Sequence, residues 1–110
     1  MKLVYLAAAE EEIAAVVRRY ELASPGLGDK FLETVESGVE LLKMHHFAGK
    51  SLFDDYPDVR EFVIGRFPFT LVYQVEQDQL SILAVTHHSR SPDYWQSRIQ
   101  EESANYAAAA

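Results

Sequence analysis

The sequence contains no cysteine, which excludes two kinds of chemistry. Disulfide bonds cannot support the fold, and no thiolate is available as a catalytic nucleophile. The chain also lacks any apolar run near the roughly 18 residues that a transmembrane helix needs, so we expect no membrane insertion. A reducing cytoplasm is compatible with both absences and is the location that we expect.

Basic residues are scarce, with ten Lys and Arg against 17 Asp and Glu and a formal net charge of -7. A protein that grips nucleic acid over a broad surface needs clustered Lys and Arg opposite the phosphates. The balance therefore argues against such a surface, although it allows a local basic patch or a partner that is itself basic. The sequence has no glycine-rich phosphate loop, Ser-His-Asp order or paired-carboxylate motif, so no cofactor is expected.

The first half of the chain predicts one strand followed by two helices. Residues 1–6 form an apolar run without polar alternation, which is typical of a strand in the interior of a sheet. Helices are predicted from Ala7 to Leu22 and from about Gly28 to His45, separated by the breaker Ser24-Pro25-Gly26. With so short a connection, the helices should pack as an antiparallel hairpin against the sheet. Their predicted core residues recur at helical spacing: Ile13, Val16, Val17, Tyr20, Phe31, Leu32, Val35, Val39 and Leu42.

The second half predicts a loop over residues 47–58 and then three antiparallel strands. Alternating apolar residues in 69–76 indicate a strand buried mainly on one face, and Leu80 to Thr86 is a second apolar run. Gln77 and Asp78 between them suit a tight hairpin. Before them, residues 62–64 form a third strand, and Gly65 to Pro68 should be a bend, a bulge or an edge turn.

This order predicts an α+β fold in two layers, β-α-α-β-β-β, with an antiparallel meander after the helices. At 110 residues the chain is expected to form a single domain over residues 1–98. Residues 99–110 are expected to be a polar and alanine-rich tail. Residues 96–106, which overlap the start of this tail, are predicted to be either a short helix or a disordered segment.

The four histidines occur as two adjacent pairs, at positions 45–46 and 87–88. Neighbouring residues on a strand point to opposite faces, so His87 and His88 are unsuited to a shared metal ion. We expect one of them to be packed or hydrogen-bonded and the other solvated. No metal site is predicted.

Residues able to bind a partner crowd together after the last predicted strand. Arg90 can fork onto a carboxylate or phosphate, and Trp95 offers a large rigid contact area beside Tyr94. Arg60 and Arg66 are an even number of positions apart, which a regular strand would bring to one face. The alternative is structural: Trp95 folds back over the sheet edge, and Arg90 pairs with a nearby acid such as Asp93.

Two segments carry a resemblance to a known superfamily. These are FAGKSLFDDYPDVREFVIGRFPFTLVYQVE, after the helices, and AVTHHSRSPDYW, at the end of the last strand. In their order and spacing, from Leu3 to about Arg98, the chain resembles the RelE/ParE toxins of type II toxin–antitoxin modules. Arg66-Phe67-Pro68-Phe69 and the ending with His87, Arg90 and Trp95 resemble the ParE-like members more closely.

The resemblance implies a toxin that a cognate antitoxin holds inactive by wrapping its sheet and helical hairpin. ParE-like toxins poison DNA gyrase, whereas RelE-like toxins cut messenger RNA at the ribosome without a metal. A toxin–antitoxin hetero-oligomer or a homodimer would fit either kind, and an inactive homologue that only binds an antitoxin is a third alternative. For target or antitoxin binding the candidate residues are Arg60, Arg66, His87, Arg90, Tyr94 and Trp95.

For an endoribonuclease, the resemblance implies basic residues that hold the scissile phosphate, together with a C-terminal tyrosine. Arg60, Arg66, Arg90 and Tyr94 are the matching candidates. One arginine that the nucleases carry three residues before a tyrosine of the third strand is replaced by Thr70 here. We therefore favour the gyrase-poison-like alternative over the nuclease, and leave open whether the chain is an enzyme.

Overall fold

The computed structural model describes residues 1–90 and 92–99, and shows one mixed sheet with two helices packed against it. The helices are α1 (Ala7–Ala23) and α2 (Leu27–Met44), and a 3-10 turn covers Pro92–Trp95. The strands are β1 (Lys2–Tyr5), β2 (Lys50–Ser51), β3 (Val59–Ile64), β4 (Phe69–Glu76) and β5 (Gln79–His87). Their order across the sheet is β1-β5-β4-β3-β2. The predicted α+β class and the order of elements are confirmed, whereas the expected tail beyond Ile99 lies outside the described residues.

The position of β1 corrects one expectation. β1 lies at an edge of the sheet, where it pairs in parallel with β5 alone, so the sheet is not purely antiparallel. Leu3 and Tyr5 are half-buried because they face α2, and this accounts for the apolar run. In a strand of four residues, the pattern does not distinguish contact with a helix from burial on both faces.

The predicted loop over residues 47–58 also needs correction. Lys50 and Ser51 form β2, which pairs antiparallel with Glu61 and Arg60 of β3. A strand of two residues forms because the partner strand pairs with it, so its own sequence carries no alternating pattern that predicts a strand. The predicted break at Gly65 to Pro68 is a turn between β3 and β4, with Arg66 at φ 76°. The tight hairpin at Gln77 and Asp78 is confirmed.

The core lies between the sheet and the helices, as the helical spacing predicts. Ile13 and Val16 of α1 are buried there, together with four residues of α2: Phe31, Val35, Val39 and Leu42. Leu32 was expected to join them, but it is 36% exposed at the outer surface of the hairpin. At one end of the core, Phe67 of the β3–β4 turn packs edge-on against Phe31, with ring centroids 5.2 Å apart.

The two helices approach each other closely at the start of α2. A Cβ atom at Gly28 would lie 2.6 Å from the carbonyl oxygen of Val17, so only glycine fits. The carboxylate of Glu21, near the end of α1, accepts a hydrogen bond of 2.8 Å from the Gly28 N–H. Glu21 therefore caps α2 from the neighbouring helix, since no side chain of the Gly26 N-cap is available.

β4 and β5 do not pair evenly. Val72 is opposite Ala84 and Tyr73 is opposite Ile82, so Leu83 of β5 has no opposite residue and forms a bulge. β1 covers only the first half of β5, pairing with residues 79–82. Beyond β1, the second half of β5 is an edge whose backbone groups need other partners.

Candidate functional site

Side chains complete the uncovered edge of β5, and they come from elements far apart in sequence. The backbone N–H of Val85 donates to Glu12 Oε1 of α1 at 3.1 Å. The carbonyl oxygen of Leu83 accepts a hydrogen bond of 2.9 Å from Arg98. Arg98 also donates to Glu12 Oε1 at 2.9 Å, which closes an ion pair whose side chains are 13% and 15% exposed. The pair therefore joins the C-terminal segment to both helix and sheet.

Tyr94 belongs to the same network. Its hydroxyl donates a hydrogen bond of 2.8 Å to Glu12 Oε2. The guanidinium of Arg90 lies 3.9 Å from the centroid of the Tyr94 ring, and that of Arg98 lies 5.2 Å away. Burial, above all, raises the pKa of the Tyr94 hydroxyl, and Glu12 raises it further. The hydroxyl is thus a donor engaged within the protein at neutral pH.

Of the two arrangements that the sequence allows for Trp95, the structure shows the one in which its side chain folds back and is buried. Its side chain is 1% exposed and packs in the core, with its ring centroid 5.8 Å from that of Phe53. Arg90 remains exposed and stacks on Tyr94, while the side chain of Asp93 lies outside the described part of the chain. Of the predicted cluster, Arg90 is therefore the member at the surface.

The two histidines at the end of β5 differ in the way that their adjacency predicts. His87 is half-buried, and its ring lies edge-on to Phe69 with centroids 5.1 Å apart. Its Nδ1 accepts a hydrogen bond of 3.0 Å from the backbone N–H of Ser89. His88 is exposed. No group of three His, Asp or Glu suited to a metal ion occurs within residues 1–90 and 92–99, and the predicted absence of a metal stays a prediction.

Arg60 and Arg66 do not lie together. Arg60 is near the start of β3, where it donates a hydrogen bond of 2.7 Å to the Gly49 carbonyl oxygen and lies 4.9 Å from the Phe47 ring. Arg66 lies beyond the other end of β3, in the exposed turn. At about 3.3 Å per strand residue, the Cα of Arg60 lies roughly 13 Å from that of Ile64, the last residue of β3, and Arg66 follows in the turn. The even spacing was therefore no guide to a shared surface, because β3 ends before Arg66.

Arg66 instead shares an end of the molecule with His87 and Arg90. The N–H of His88 donates a hydrogen bond of 2.9 Å to the Pro68 carbonyl oxygen, and this bond connects the β3–β4 turn to the end of β5. Sequence reasoning missed Arg19, which lines a pocket with His87 and Arg90 between α1 and this end of β5. It also missed Glu12 and Arg98, whose contacts join residues more than 80 positions apart and leave no local signal.

A second surface lies on the opposite side of the helical hairpin. An apolar groove between the helices is lined by Ile13, Val17, Leu32 and Val35, and Tyr5 joins it to the outer edge of β1. Beside that edge, α2 carries an exposed acidic row, which consists of Glu33, Glu36 and Glu40. Desolvation raises the pKa of Tyr5, with further contributions from the nearby carboxylates. This groove and edge form an apolar and acidic surface, which contrasts with the arginines near His87.

Comparison with protein families decides the assignment. The profile described as "ParE toxin of type II toxin-antitoxin system, parDE" matches residues 3–92. The chain belongs to the ParE toxin family. A cognate antitoxin is therefore implied as its partner.

Among solved structures, this ParE-family chain is similar to one described as the chromosomal ParDE TA system from P. aeruginosa. The two are 24% identical with a TM-score of 0.59, over 79% of this chain and 95% of the other. At that identity the likeness supports the fold. Comparison with curated protein sequences gave no significant match.

Two further observations complete the description of the ParE-family chain. The resemblance to the nucleases implies an arginine at the position of Thr70, and Thr70 is 6% exposed within the sheet. Among the described residues, no helix is long and apolar enough to cross a membrane.

Proposed function

We propose that this ParE-family toxin acts in the cytoplasm by binding a protein target such as DNA gyrase, without cleaving RNA. The observation that carries the proposal is the hydrogen bond from the Tyr94 hydroxyl to Glu12. We take this hydrogen bond, in a network with Arg98, as a structural role for the hydroxyl in place of proton exchange with a phosphodiester. RNA cleavage would also require several cations around one phosphate, and Arg60 lies at the far end of β3 from Arg66.

The surface that we propose for the target is the end of the molecule with Arg66, His87 and Arg90. These residues come from the β3–β4 turn and the end of β5, which a backbone hydrogen bond holds together. Arg66 and Arg90 are exposed, and arginine is enriched among the residues that dominate protein interfaces. Trp95, although a candidate by sequence, would contribute by anchoring the segment that carries Tyr94, because it is buried.

The antitoxin, in this proposal, covers the hairpin groove and the free edge of β1. An apolar groove between two helices suits an amphipathic helix, and an unpaired edge suits an added strand. The acidic row beside β1 favours Lys or Arg in that strand. Such a complex is a toxin–antitoxin hetero-oligomer, and it leaves Arg90 on a separate surface, whereas Arg66 lies beside Glu33 of the acidic row.

Inducible expression tests the proposed activity. We expect growth to stop when the chain is produced, and to resume when the product of the adjacent gene is produced with it. The Tyr94→Phe variant should stop growth equally well, because target binding does not use the hydroxyl. Normal growth at high levels of folded chain would contradict the proposal and would favour an inactive homologue that only binds an antitoxin. Growth arrest that Tyr94→Phe abolishes, with cleaved messenger RNA, would favour the nuclease.

A further inference from the structure

A small pocket between α1 and the end of β5 combines positive charge with an apolar floor. Arg19 of α1 faces His87, Ser89 and Arg90 across it, and we refer to these four residues as the cationic pocket. The floor is formed by three apolar side chains, Val16, Phe69 and Val85. The pocket is thus suited to a ligand that carries an anionic group next to an apolar one.

Among the described side chains, one carboxylate lines this pocket, that of Glu12, and it does not neutralise the arginines. Glu12 accepts hydrogen bonds from the Val85 N–H, the Tyr94 hydroxyl and the Arg98 guanidinium. Its charge is therefore matched by Arg98 within the network. Among the side chains that the structure describes, the ion pairs are Glu12–Arg98 and Glu40–Lys43, and neither of them includes Arg19 or Arg90.

One wall of the pocket is held in place before any ligand arrives. Arg90 is held 3.9 Å over the Tyr94 ring, and its own N–H donates to the His87 carbonyl oxygen at 3.0 Å. Ser89 is held by its backbone hydrogen bond to His87 Nδ1. Groups positioned in advance lose less conformational entropy on binding, which favours affinity.

The ligand class follows from the charge of the whole chain. A nucleic acid presents a continuous row of phosphates, which a molecule of net charge -7 would repel beyond this one end. A protein segment presents isolated carboxylates, onto which guanidinium groups fork with two hydrogen bonds. A short protein segment confined to this pocket stays on the α1–β5 side, whereas the acidic row lies on the other side of the hairpin.

We propose that the cationic pocket binds an acidic segment of a protein, with a carboxylate between Arg19 and Arg90 and an adjacent apolar side chain on the floor. This inference rests on the proposed function and adds to it the chemistry of the target. The binding of the acidic segment is measured without reference to toxicity. The pocket uses Arg19, which lies outside the sequence motif, and makes no use of Tyr94 as a catalyst.

A nuclear magnetic resonance titration tests the proposal on the full chain. The probe is the capped pentapeptide Glu-Leu-Glu-Leu-Glu, and its matched control is Gln-Leu-Gln-Leu-Gln. We expect saturable shifts of the Arg19 and Arg90 side-chain N–H signals with the acidic peptide and none with the control. Equal responses to both peptides, or no response to either, would overturn the proposal.

Two variants with the same change of charge locate the site. Arg19→Glu should weaken binding of the acidic peptide by about tenfold or more, through loss of a charge-assisted contact. Arg18→Glu is the matched control, because Arg18 is the exposed neighbour that lies at the rim of the hairpin groove, and it should change binding little. Equal weakening by both variants would mean that only net charge matters, and would overturn the assignment. Tighter binding of a uridine hexanucleotide at the same residues would assign the pocket to RNA instead.

The two proposals fail in different ways. If the parent chain does not bind the acidic peptide but still arrests growth, the pocket proposal fails and the proposed function stands. Absence of growth arrest, with peptide binding retained, removes the proposed function and leaves an acidic-segment site on a chain that is not toxic.

Discussion

At the scale of single residues, Glu12 has the largest structural role among the charged side chains described. Its carboxylate connects α1, the edge of β5 and the C-terminal segment. The sequence places it among three consecutive glutamates, which typically form a solvated helix face. Only the bulge at Leu83 and the short β1 create the edge that Glu12 completes, and both are properties of the tertiary structure.

Glu12→Ala should lower the free energy of unfolding by about 3 kcal/mol, because removal of one partner leaves the largely buried charge of Arg98 uncompensated. Urea unfolding at neutral pH measures the change. Glu11→Ala, at an exposed neighbour in the same helix, is the control and should change stability by less than about 0.5 kcal/mol. Equal effects of the two substitutions would mean that the network contributes nothing beyond helix propensity.

Tyr73 is a second residue whose contacts the alternating pattern does not reveal. Its hydroxyl accepts from the Gly49 N–H at 2.9 Å and donates to the His46 carbonyl oxygen at 2.7 Å, so it holds the segment before β2 against the core. The alternation in β4 correctly predicts burial of the ring, but not the partners of the hydroxyl.

Tyr73→Phe should therefore lower the free energy of unfolding by about 1 to 2 kcal/mol, because a buried N–H and a part-buried carbonyl oxygen lose their partner. Thermal or urea unfolding measures the loss. Tyr56→Phe, at an exposed ring, is the matched substitution and should be nearly neutral. A Tyr73→Phe variant as stable as the parent would show that water replaces the hydroxyl at no cost.

At the scale of elements, the helical hairpin depends on Glu21. Hydrogen bonds from backbone N–H groups, foremost that of Gly26 and then those of Gly28 and Asp29, lower its pKa from the ordinary 4.5. A carboxylate with a lowered folded-state pKa stabilises the fold fully above its unfolded pKa, and loses this contribution as the pH falls through the folded value.

We expect the stability difference between the parent and Glu21→Gln to be constant near neutral pH. It should shrink as the pH falls below about 4.5, since the carboxyl then becomes neutral like the amide. Urea unfolding over a pH series checks this, with Glu33→Gln on the exposed side of α2 as a control. A difference that grows on acidification would contradict the capping role.

The free edge of β1 gives another prediction at this scale. The N–H of Lys2 donates to the carbonyl oxygen of Asp78, the residue before β5. The N–H of Leu6 donates to the carbonyl oxygen of Ile82 within β5. The N–H groups of Leu3 and Tyr5 alternate with these and point away from β5. In hydrogen exchange, both should exchange faster than Leu6 in the free chain.

Binding of the antitoxin should slow exchange at Leu3 and Tyr5 and leave Leu6 largely unchanged. That pattern is expected only if a strand is added to β1. Protection confined to the hairpin groove would mean that the antitoxin binds there without extending the sheet.

At the scale of the whole molecule, the sequence predicted the fold better than the site. Helical spacing identified Phe31, Val35 and Val39, because burial on a helix repeats with its period. The site depends on where separate elements end in space. Arg60 and Arg66 lie apart because β3 ends at Ile64. Arg19 lies beside Arg90 because α1 passes the end of β5.

The division of surfaces is also a property of the whole chain. The apolar groove and acidic row lie on one side of the hairpin, and the cationic pocket lies between α1 and β5 on another. A toxin with two such surfaces is able to hold its antitoxin without covering the residues proposed to meet the target. Membership of the ParE family implies the first partner, a cognate antitoxin.

The most direct measurement places purified chain, and its Tyr94→Phe variant, with DNA gyrase and separately with translating ribosomes. We predict that both proteins inhibit DNA supercoiling by gyrase and that both leave messenger RNA intact. Cleavage of messenger RNA by the parent chain, lost in Tyr94→Phe and with gyrase unaffected, would contradict a toxin that acts by binding.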